Sequence, residues 1–213
     1  AVGAALAGQP ADLHAALVAV DPATGGVRAY YGGDRGRGFF DDAVARRPPA
    51  STFKPLALAV GLQTGISYRS RWDGSSPRTF PDRLGVPLHN DNDVQCPECP
   101  LDRAMVESLN TPFYALGERV GAENIRSMAV RLGIPDQYGK QRSLVDLKGE
   151  PRPDQTRVDI AIGRYPVAPT DLATVYATFA SGGYRTERHL VESVTDPTGA
   201  TRYAVAIKRT RVL

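Results

Sequence analysis

Two residues three positions apart, Ser51 and Lys54, carry the side chains needed for nucleophilic catalysis. A serine hydroxyl is a useful nucleophile only when a neighbouring base removes its proton. On a helix, residues separated by three positions share a face, so the lysine amine can reach the serine hydroxyl. A lysine in a desolvated pocket loses part of its preference for the charged form and can act as that base. The pair therefore indicates acyl transfer through a covalent serine intermediate.

The Ser-x-x-Lys spacing alone is modest evidence for catalysis, but the position of Ser51 at the start of a predicted helix strengthens it. A chain with 10 serines and 4 lysines can contain such a spacing as a solvated pair at the start of a helix. The apolar pattern over 51–65 predicts a largely buried helix, with Pro55 in the first turn, where its missing N–H costs nothing. The backbone N–H of Ser51 is then an unpaired donor at the positive end of the helix dipole. Such a donor stabilises developing negative charge.

A second polar segment, Ser108-Leu109-Asn110, interrupts helical periodicity further along the chain. It lies between predicted helices at 101–107 and 111–120. Taken alone, Ser and Asn in such a break commonly cap helices and make turns. Their side chains are also suited to relaying a proton and binding an amide.

The other elements follow from apolar periodicity and turn residues. The segment 66–100, rich in Gly, Pro, Asp and Asn, is predicted as a long functional loop. Strands are expected at 14–20, 27–31, 190–195 and 202–207, and further helices at 122–132 and at 170–180, the last capped by Thr170 and ended by Gly182-Gly183. The order strand pair, helices, strand pair predicts an α+β domain rather than an alternating parallel sheet.

Composition excludes several classes of function. The 213 residues are 42% apolar and 23% charged, typical of a globular protein. The 26 basic and 23 acidic residues are scattered, which argues against a nucleic-acid partner. The chain has no apolar run that could cross a bilayer and no signal-peptide pattern, so it is either cytosolic or part of a protein whose anchor lies outside it.

The two cysteines, Cys96 and Cys99, form a Cys-Pro-Glu-Cys motif. This spacing fits a local disulfide, free thiols, a redox pair or half of a metal site. A zinc site normally needs four ligands at short spacings, and the three histidines, His14, His89 and His189, lie far away in sequence. A local disulfide or a pair of thiols is therefore expected, and no metal.

Four segments resemble the transpeptidase domain of penicillin-binding proteins. Pro-Ala-Ser-Thr-Phe-Lys-Pro at 49–55 is similar to the active-site segment of that family, and Ser-x-x-Lys with a downstream Ser-x-Asn is its motif set. The segments 16–33, 108–112 and 168–183 are also family-like. The resemblance covers nearly all of residues 1–213 and favours the bifunctional class A branch. It implies a serine β-lactamase/D,D-transpeptidase-like fold, in which a helical subdomain flanks an antiparallel sheet.

The resemblance also implies a role for each motif residue. Ser51 would attack a D-Ala-D-Ala stem peptide and form an acyl-enzyme, with Lys54 as the base. Ser108 would relay a proton to the leaving D-alanine, and Asn110 would bind the donor peptide's amide and hydrogen-bond Lys54. The implied partners are peptidoglycan stem peptides and β-lactams, with no cofactor. The implied location is outside the cytoplasm, at the membrane or cell wall, with a possible membrane anchor outside this chain.

Two departures from the family pattern qualify this expectation. Ala50 stands where the family usually has glycine, and we expect this to alter only the angle at which the chain approaches Ser51. No Lys-Thr-Gly triad occurs, although in the family it follows a segment resembling 211–213. The family takes its second oxyanion donor from that strand and also binds the substrate carboxylate there. A complementary C-terminal polypeptide is therefore expected to complete the site.

Two other functions are compatible with the same fold. A D,D-carboxypeptidase or a serine β-lactamase relative would activate water to remove the acyl group, but no glutamate can be assigned to that step. A non-catalytic sensor or scaffold with a penicillin-binding fold is the third hypothesis. Such a scaffold would not need Ser51, Lys54, Ser108 and Asn110 together.

Overall fold

A computed structural model describes residues 2–10, 13–33, 39–150 and 152–213. Its α-helices are α1 (Val2–Ala5), α2 (Lys54–Gln63), α3 (Leu101–Val106), α4 (Asn110–Val120), α5 (Ala122–Leu132) and α6 (Pro169–Ala180). Its strands are β1 (Leu17–Val20), β2 (Val27–Tyr31), β3 (Arg71–Gly74), β4 (Cys96–Pro100), β5 (Gln137–Tyr138), β6 (Gln141–Arg142), β7 (Tyr184–Thr186), β8 (Ser193–Thr195), β9 (Thr201–Ala204) and β10 (Arg209–Arg211). Within the described ranges, no helix is both long and apolar enough to span a bilayer.

The strands associate in antiparallel pairs: β1 with β2, β3 with β4, β5 with β6, β8 with β9, and β7 with β10. This confirms the α+β class and both predicted hairpins, although the second hairpin is shorter than predicted. The prediction of one long loop over 66–100 was wrong, because β3 and β4 pair within it. Their short, Gly- and Cys-containing sequences lack the alternation that would mark strands.

The chain divides into two compact units, and the first comprises Ala1–Arg47, Val130–Asp136 and Val167–Leu213. Its first hairpin turns at Asp21, whose carboxylate accepts hydrogen bonds from the N–H groups of Ala23 and Thr24. Helix α6 packs against this hairpin and against β7. The prediction that Thr170 caps α6 was wrong. The helix already includes Pro169, its N-cap residue is Ala168, and Thr170 is buried inside the first turn.

The second unit comprises Pro48–Ala129 and Gln137–Pro166, and it contains every predicted site residue. Helix α4 lies at its centre, packed against α2 and against a 3-10 helix at Val158–Ile162. A β-carbon on Gly117 would lie 2.7 Å from that of Ala161, so glycine is needed for this close approach. Phe113, Tyr114 and Leu116 are all buried although they lie on different faces of α4, as expected for a helix that is enclosed by its neighbours.

The helix break predicted at 108–110 is confirmed, since α3 ends at Val106 and α4 begins at Asn110. The predicted helix at 122–132 is confirmed with the same bounds. The helix predicted from Ser51 begins instead as a 3-10 turn, Ala50–Phe53, and becomes α-helical at Lys54. Pro55 follows in the first turn of α2, as the sequence predicts.

Candidate active site

The local backbone brings Ser51 and Lys54 together. In a 3-10 turn, side chains three positions apart nearly eclipse one another, so they lie on the same side of the chain, one above the other. Ser51 lies in such a turn, and Lys54 follows it as the first residue of α2. The Nζ atom of Lys54 lies 3.0 Å from the Oγ atom of Ser51. The predicted nucleophile and base are therefore in hydrogen-bond contact.

The residue before the nucleophile adopts an unusual backbone conformation. Ala50 has a φ of 49°, in the left-handed region that favours glycine. Its N–H donates to the carbonyl of Gly163 at 3.1 Å. A β-carbon on Gly163 would lie 2.0 Å from the Ala50 carbonyl oxygen. The two backbones thus touch beside Ser51, and the expectation that Ala50 changes only the local angle omitted this strain.

Lys54 is fully buried and is surrounded by neutral groups. Besides Ser51, its Nζ atom contacts the Ser108 carbonyl oxygen at 2.5 Å, the Ser108 Oγ at 3.2 Å and the Asn110 Oδ1 at 2.8 Å. The ring of Phe113 lies 5.8 Å from the same nitrogen. Lys54 therefore brings Ser51, Ser108 and Asn110 to one point, as the sequence predicts.

Burial sets the protonation chemistry of Lys54. Removal of water from the ammonium lowers the pKa of Lys54 from its ordinary 10.5 to about 8. This value is close to neutral pH, where a general base is most effective. A usable fraction of neutral amine therefore exists without a dedicated partner base.

Ser108 and Asn110 are fixed by the break between α3 and α4. Ser108 has a φ of 56°, which turns the chain sharply between the two helices. Leu109 is buried and anchors the turn, while Ser108 and Asn110 remain partly exposed. The turn therefore places the Ser108 hydroxyl and the Asn110 amide within hydrogen-bond distance of Lys54.

The neutral amine of Lys54 has room in its hydrogen-bond set to accept one proton, that of the Ser51 hydroxyl. A neutral amine has two N–H groups and one lone pair. If the N–H groups donate to the Ser108 carbonyl and to Asn110 Oδ1, the lone pair is left to accept the Ser51 hydroxyl proton. Rotation toward Ser108 Oγ would pass that proton on to a leaving group. The arrangement suits acyl transfer by a serine nucleophile.

Comparison with known proteins agrees with this geometry. The chain matches the penicillin binding protein transpeptidase domain family over residues 15–212. The chain belongs to this family. It is 34% identical over 201 residues to penicillin-binding protein 1A of Mycolicibacterium smegmatis, covering 93% of this chain and 25% of that protein. It is 33% identical over 161 residues to the peptidoglycan D,D-transpeptidase PbpA of Mycobacterium tuberculosis, covering 70% of this chain and 32% of the relative.

Solved structures of the transpeptidase family have the same fold. The PonA1 protein of Mycobacterium tuberculosis in complex with penicillin V aligns with a TM-score of 0.85 and 33% identity. The alignment covers 95% of this chain and 53% of that one. Penicillin-binding protein A from the same organism, as an imipenem acyl-enzyme complex, aligns with a TM-score of 0.71 and 27% identity over 92% of this chain and 52% of that chain. The chain thus spans about half of these solved chains and about a quarter to a third of the curated relatives.

Two residues that hold the transpeptidase motifs in place were not predicted from the sequence. The carbonyl of His89 accepts a hydrogen bond of 2.8 Å from Asn110 Nδ2. The side chain of Asn90 accepts from the N–H groups of Asn110 and Thr111. Both residues come from the segment predicted as a loop. Their polar types resemble those around them, and only the fold reveals these contacts.

Cys96 and Cys99 form a disulfide within β4, and neither cysteine is free. This agrees with the expected local pairing. Both residues are buried, and β4 leads directly into α3 and the Ser108 segment. Across the described residues, no cluster of His, Cys, Asp and Glu has a metal-binding arrangement.

Proposed function

We propose that this chain carries the nucleophile, base and proton relay of a peptidoglycan D,D-transpeptidase. The observation that supports this most strongly is buried Lys54, which contacts Ser51, Ser108 and Asn110 at once. The names of its relatives, peptidoglycan D,D-transpeptidase and penicillin-binding protein, support the same activity.

The proposed acylation step follows from the geometry. Ser51 Oγ attacks the carbonyl carbon of the penultimate D-alanine while its proton passes to Lys54 Nζ. The backbone N–H of Ser51 donates to the oxyanion. The C–N bond to the terminal D-alanine breaks, and its nitrogen takes the proton of Ser108 Oγ, which Lys54 restores. A second stem-peptide amine then attacks the ester, and Ser51 regains its proton.

Asn110 orients the donor strand in this proposal. Its Oδ1 accepts from Lys54, and its Nδ2 has one N–H on the His89 carbonyl. An amide nitrogen carries two protons, so the second remains for a carbonyl of the substrate. β-Lactams would use the same contacts and leave a stable ester on Ser51.

The Lys-Thr-Gly strand is proposed to come from polypeptide outside these 213 residues, since the sequence contains no such triad. That segment would supply the second oxyanion donor and the site for the substrate carboxylate. The two-stranded sheets of the first unit leave strand edges on which further strands could pair.

The proposed location is outside the cytoplasm, at the membrane or cell wall, with any membrane anchor outside this chain. The Cys96–Cys99 disulfide supports it, because disulfides persist in oxidising compartments. The relatives named above, as penicillin-binding and peptidoglycan proteins, support it as well.

The deciding experiment combines this chain with a polypeptide that carries the Lys-Thr-Gly strand and supplies a D-Ala-D-Ala donor with an acceptor amine. A transpeptidase releases D-alanine and forms a cross-linked peptide, whereas a carboxypeptidase releases D-alanine alone. Ser51→Ala should abolish both products. Rapid hydrolysis of penicillin instead would identify a β-lactamase relative, and no reaction with either substrate would leave only a binding role.

A further inference from the structure

Helix α4, which presents Asn110, begins without a cap of its own. Its N-cap residue is Leu109, a buried apolar residue whose side chain makes no capping hydrogen bond. The first N–H groups of a helix have no partner within the helix and need an acceptor from elsewhere. The acceptor must come from another part of the fold.

Asn90 supplies that acceptor from a distant loop. Its Oδ1 lies 2.8 Å from the backbone nitrogen of Asn110 and 3.0 Å from that of Thr111. Its Nδ2 donates to the carbonyls of Gly74, at 2.9 Å, and Val94, at 2.8 Å. The residue is 3% exposed, so its amide is saturated with protein partners and aligned by them.

His89, which precedes Asn90, holds the side-chain amide of Asn110. The carbonyl of His89 accepts from Asn110 Nδ2 at 2.8 Å. This bond keeps the amide from flipping, so its oxygen faces Lys54 and lies 2.8 Å from the Nζ atom. Residues 89 and 90 thus hold both the backbone and the side chain of Asn110.

We propose that Asn90 is a positioning residue for acylation: by capping α4, it holds Asn110 against Lys54 in the orientation that the reaction requires. This inference rests on the proposed function for its effect on rate. Its effect on Lys54 is independent of that function. Asn90 touches none of the groups proposed to react, and it acts only through Asn110.

Three variants separate this role from general stabilisation. Asn90→Ala removes the cap of α4 and the two hydrogen bonds that Asn90 donates to the Gly74 and Val94 carbonyls. Asn90→Asp keeps an oxygen for the two N–H groups, while its second oxygen faces the Gly74 and Val94 carbonyls and can donate to one of them only when the carboxyl is protonated. Thr178→Val is the matched control. Thr178 is also buried, and its single hydroxyl proton is shared between two backbone carbonyls, those of Thr174 and Leu132, but it belongs to the first unit.

The first readout is acylation by fluorescent penicillin, measured with the Lys-Thr-Gly polypeptide present and compared among variants of known melting temperature. We expect Asn90→Ala to slow acylation about tenfold or more, since one hydrogen bond to a reacting group is at stake. The acylation rate of Asn90→Asp should stay within about threefold of the parent chain. The rate of Thr178→Val should equal that of the parent chain, even if its melting temperature falls as much as that of Asn90→Ala.

The second readout is the titration of Lys54, followed by NMR on the 213-residue chain labelled with ¹³C-lysine. Four lysines give four assignable signals. Loss of the Asn110 oxygen removes an acceptor that favours the ammonium, so Asn90→Ala should move the Lys54 midpoint down by about one pH unit. Asn90→Asp should not lower it, and Thr178→Val should leave it unchanged.

These outcomes distinguish failure of the inference from failure of the proposed function. A parent chain that is never acylated contradicts the function, while the NMR titration still tests the position of Asn110. An unchanged Lys54 midpoint in Asn90→Ala overturns the inference, as does an equal slowing by Thr178→Val. If Asn90→Ala does not fold, a large acylation loss in folded Asn90→Asp overturns the capping role.

Discussion

The Oγ atom of Ser51 lies 3.0 Å from the Nζ atom of Lys54, and no carboxylate contacts that nitrogen in the part of the chain that the structure describes. The base is therefore activated by burial rather than by a charged partner. A 3-10 turn and the first residue of α2 create this relationship, and the segment at 108–110 completes it.

The rate of acylation should follow the protonation of Lys54. Only the neutral amine can accept the Ser51 proton, and burial sets the pKa of Lys54 at about 8. The second-order acylation rate by penicillin should therefore rise about tenfold per pH unit below pH 8 and level off above it. Stopped-flow fluorescence between pH 6 and pH 10 measures this profile.

Lys54→Arg is the control for that profile. The guanidinium keeps the positive charge but does not lose its proton in this range, so acylation should be abolished at every pH. A flat rate between pH 6 and pH 8 in the parent chain would show that neutral Lys54 is not the base.

Replacing Ala50 by glycine should stabilise the protein. A non-glycine residue at a φ of 49° is sterically disfavoured, and this cost exceeds the extra chain entropy of glycine. We expect Ala50→Gly to raise the free energy of unfolding by about 0.5–1 kcal/mol in urea titrations. Acylation should stay within about twofold, because no side chain of the site changes.

Gly163→Ala is the opposing control on the same backbone contact. Its new β-carbon would lie 2.0 Å from the Ala50 carbonyl oxygen, and its φ of 79° also disfavours alanine. The variant should lose about 2–4 kcal/mol of stability and most of its acylation, because the turn before Ser51 must move. A destabilised Ala50→Gly variant together with a tolerated Gly163→Ala variant would contradict the described contact.

The Cys96–Cys99 disulfide should be present in the purified protein and should stabilise it modestly. It closes a loop of only four residues, for which the chain-entropy relation gives about 2 kcal/mol. The double variant Cys96→Ala/Cys99→Ala should unfold at correspondingly lower urea, and a thiol reductant should have no further effect on it. Alkylation of either thiol in the parent chain without prior reduction would refute the disulfide.

Much of the fold could be predicted because its signals are local. The turn residues at 21–26 define the first hairpin, and apolar periodicity followed by Gly133 defines α5 and its end. The pairing of β3 with β4 could not be predicted, because it joins short strands that lack alternation across more than twenty intervening residues. The start of α6 was misplaced for a local reason, since proline is favoured at the first helical position, ahead of Thr170.

The part of the site in which sequence spacing determines contact could be predicted. The residues that hold the site in position could not. Ser51 and Lys54 meet because three positions span one turn. The contact of Asn110 with Lys54 joins distant segments and was expected only from the resemblance to the family. His89 and Asn90 act through hydrogen bonds to distant backbone, which leave no pattern in a single sequence. The strain at Ala50 depends on the contact with Gly163 and is likewise invisible without the fold.

The nucleophilic role of Ser51 is tested most directly by locating the covalent adduct that penicillin forms. The chain, combined with the Lys-Thr-Gly polypeptide, is incubated with penicillin, digested and analysed by mass spectrometry beside the Ser51→Ala variant. We expect one stable penicilloyl group, on Ser51, which is absent from Ser51→Ala. An adduct on another residue, or an adduct that persists in Ser51→Ala, would contradict that role.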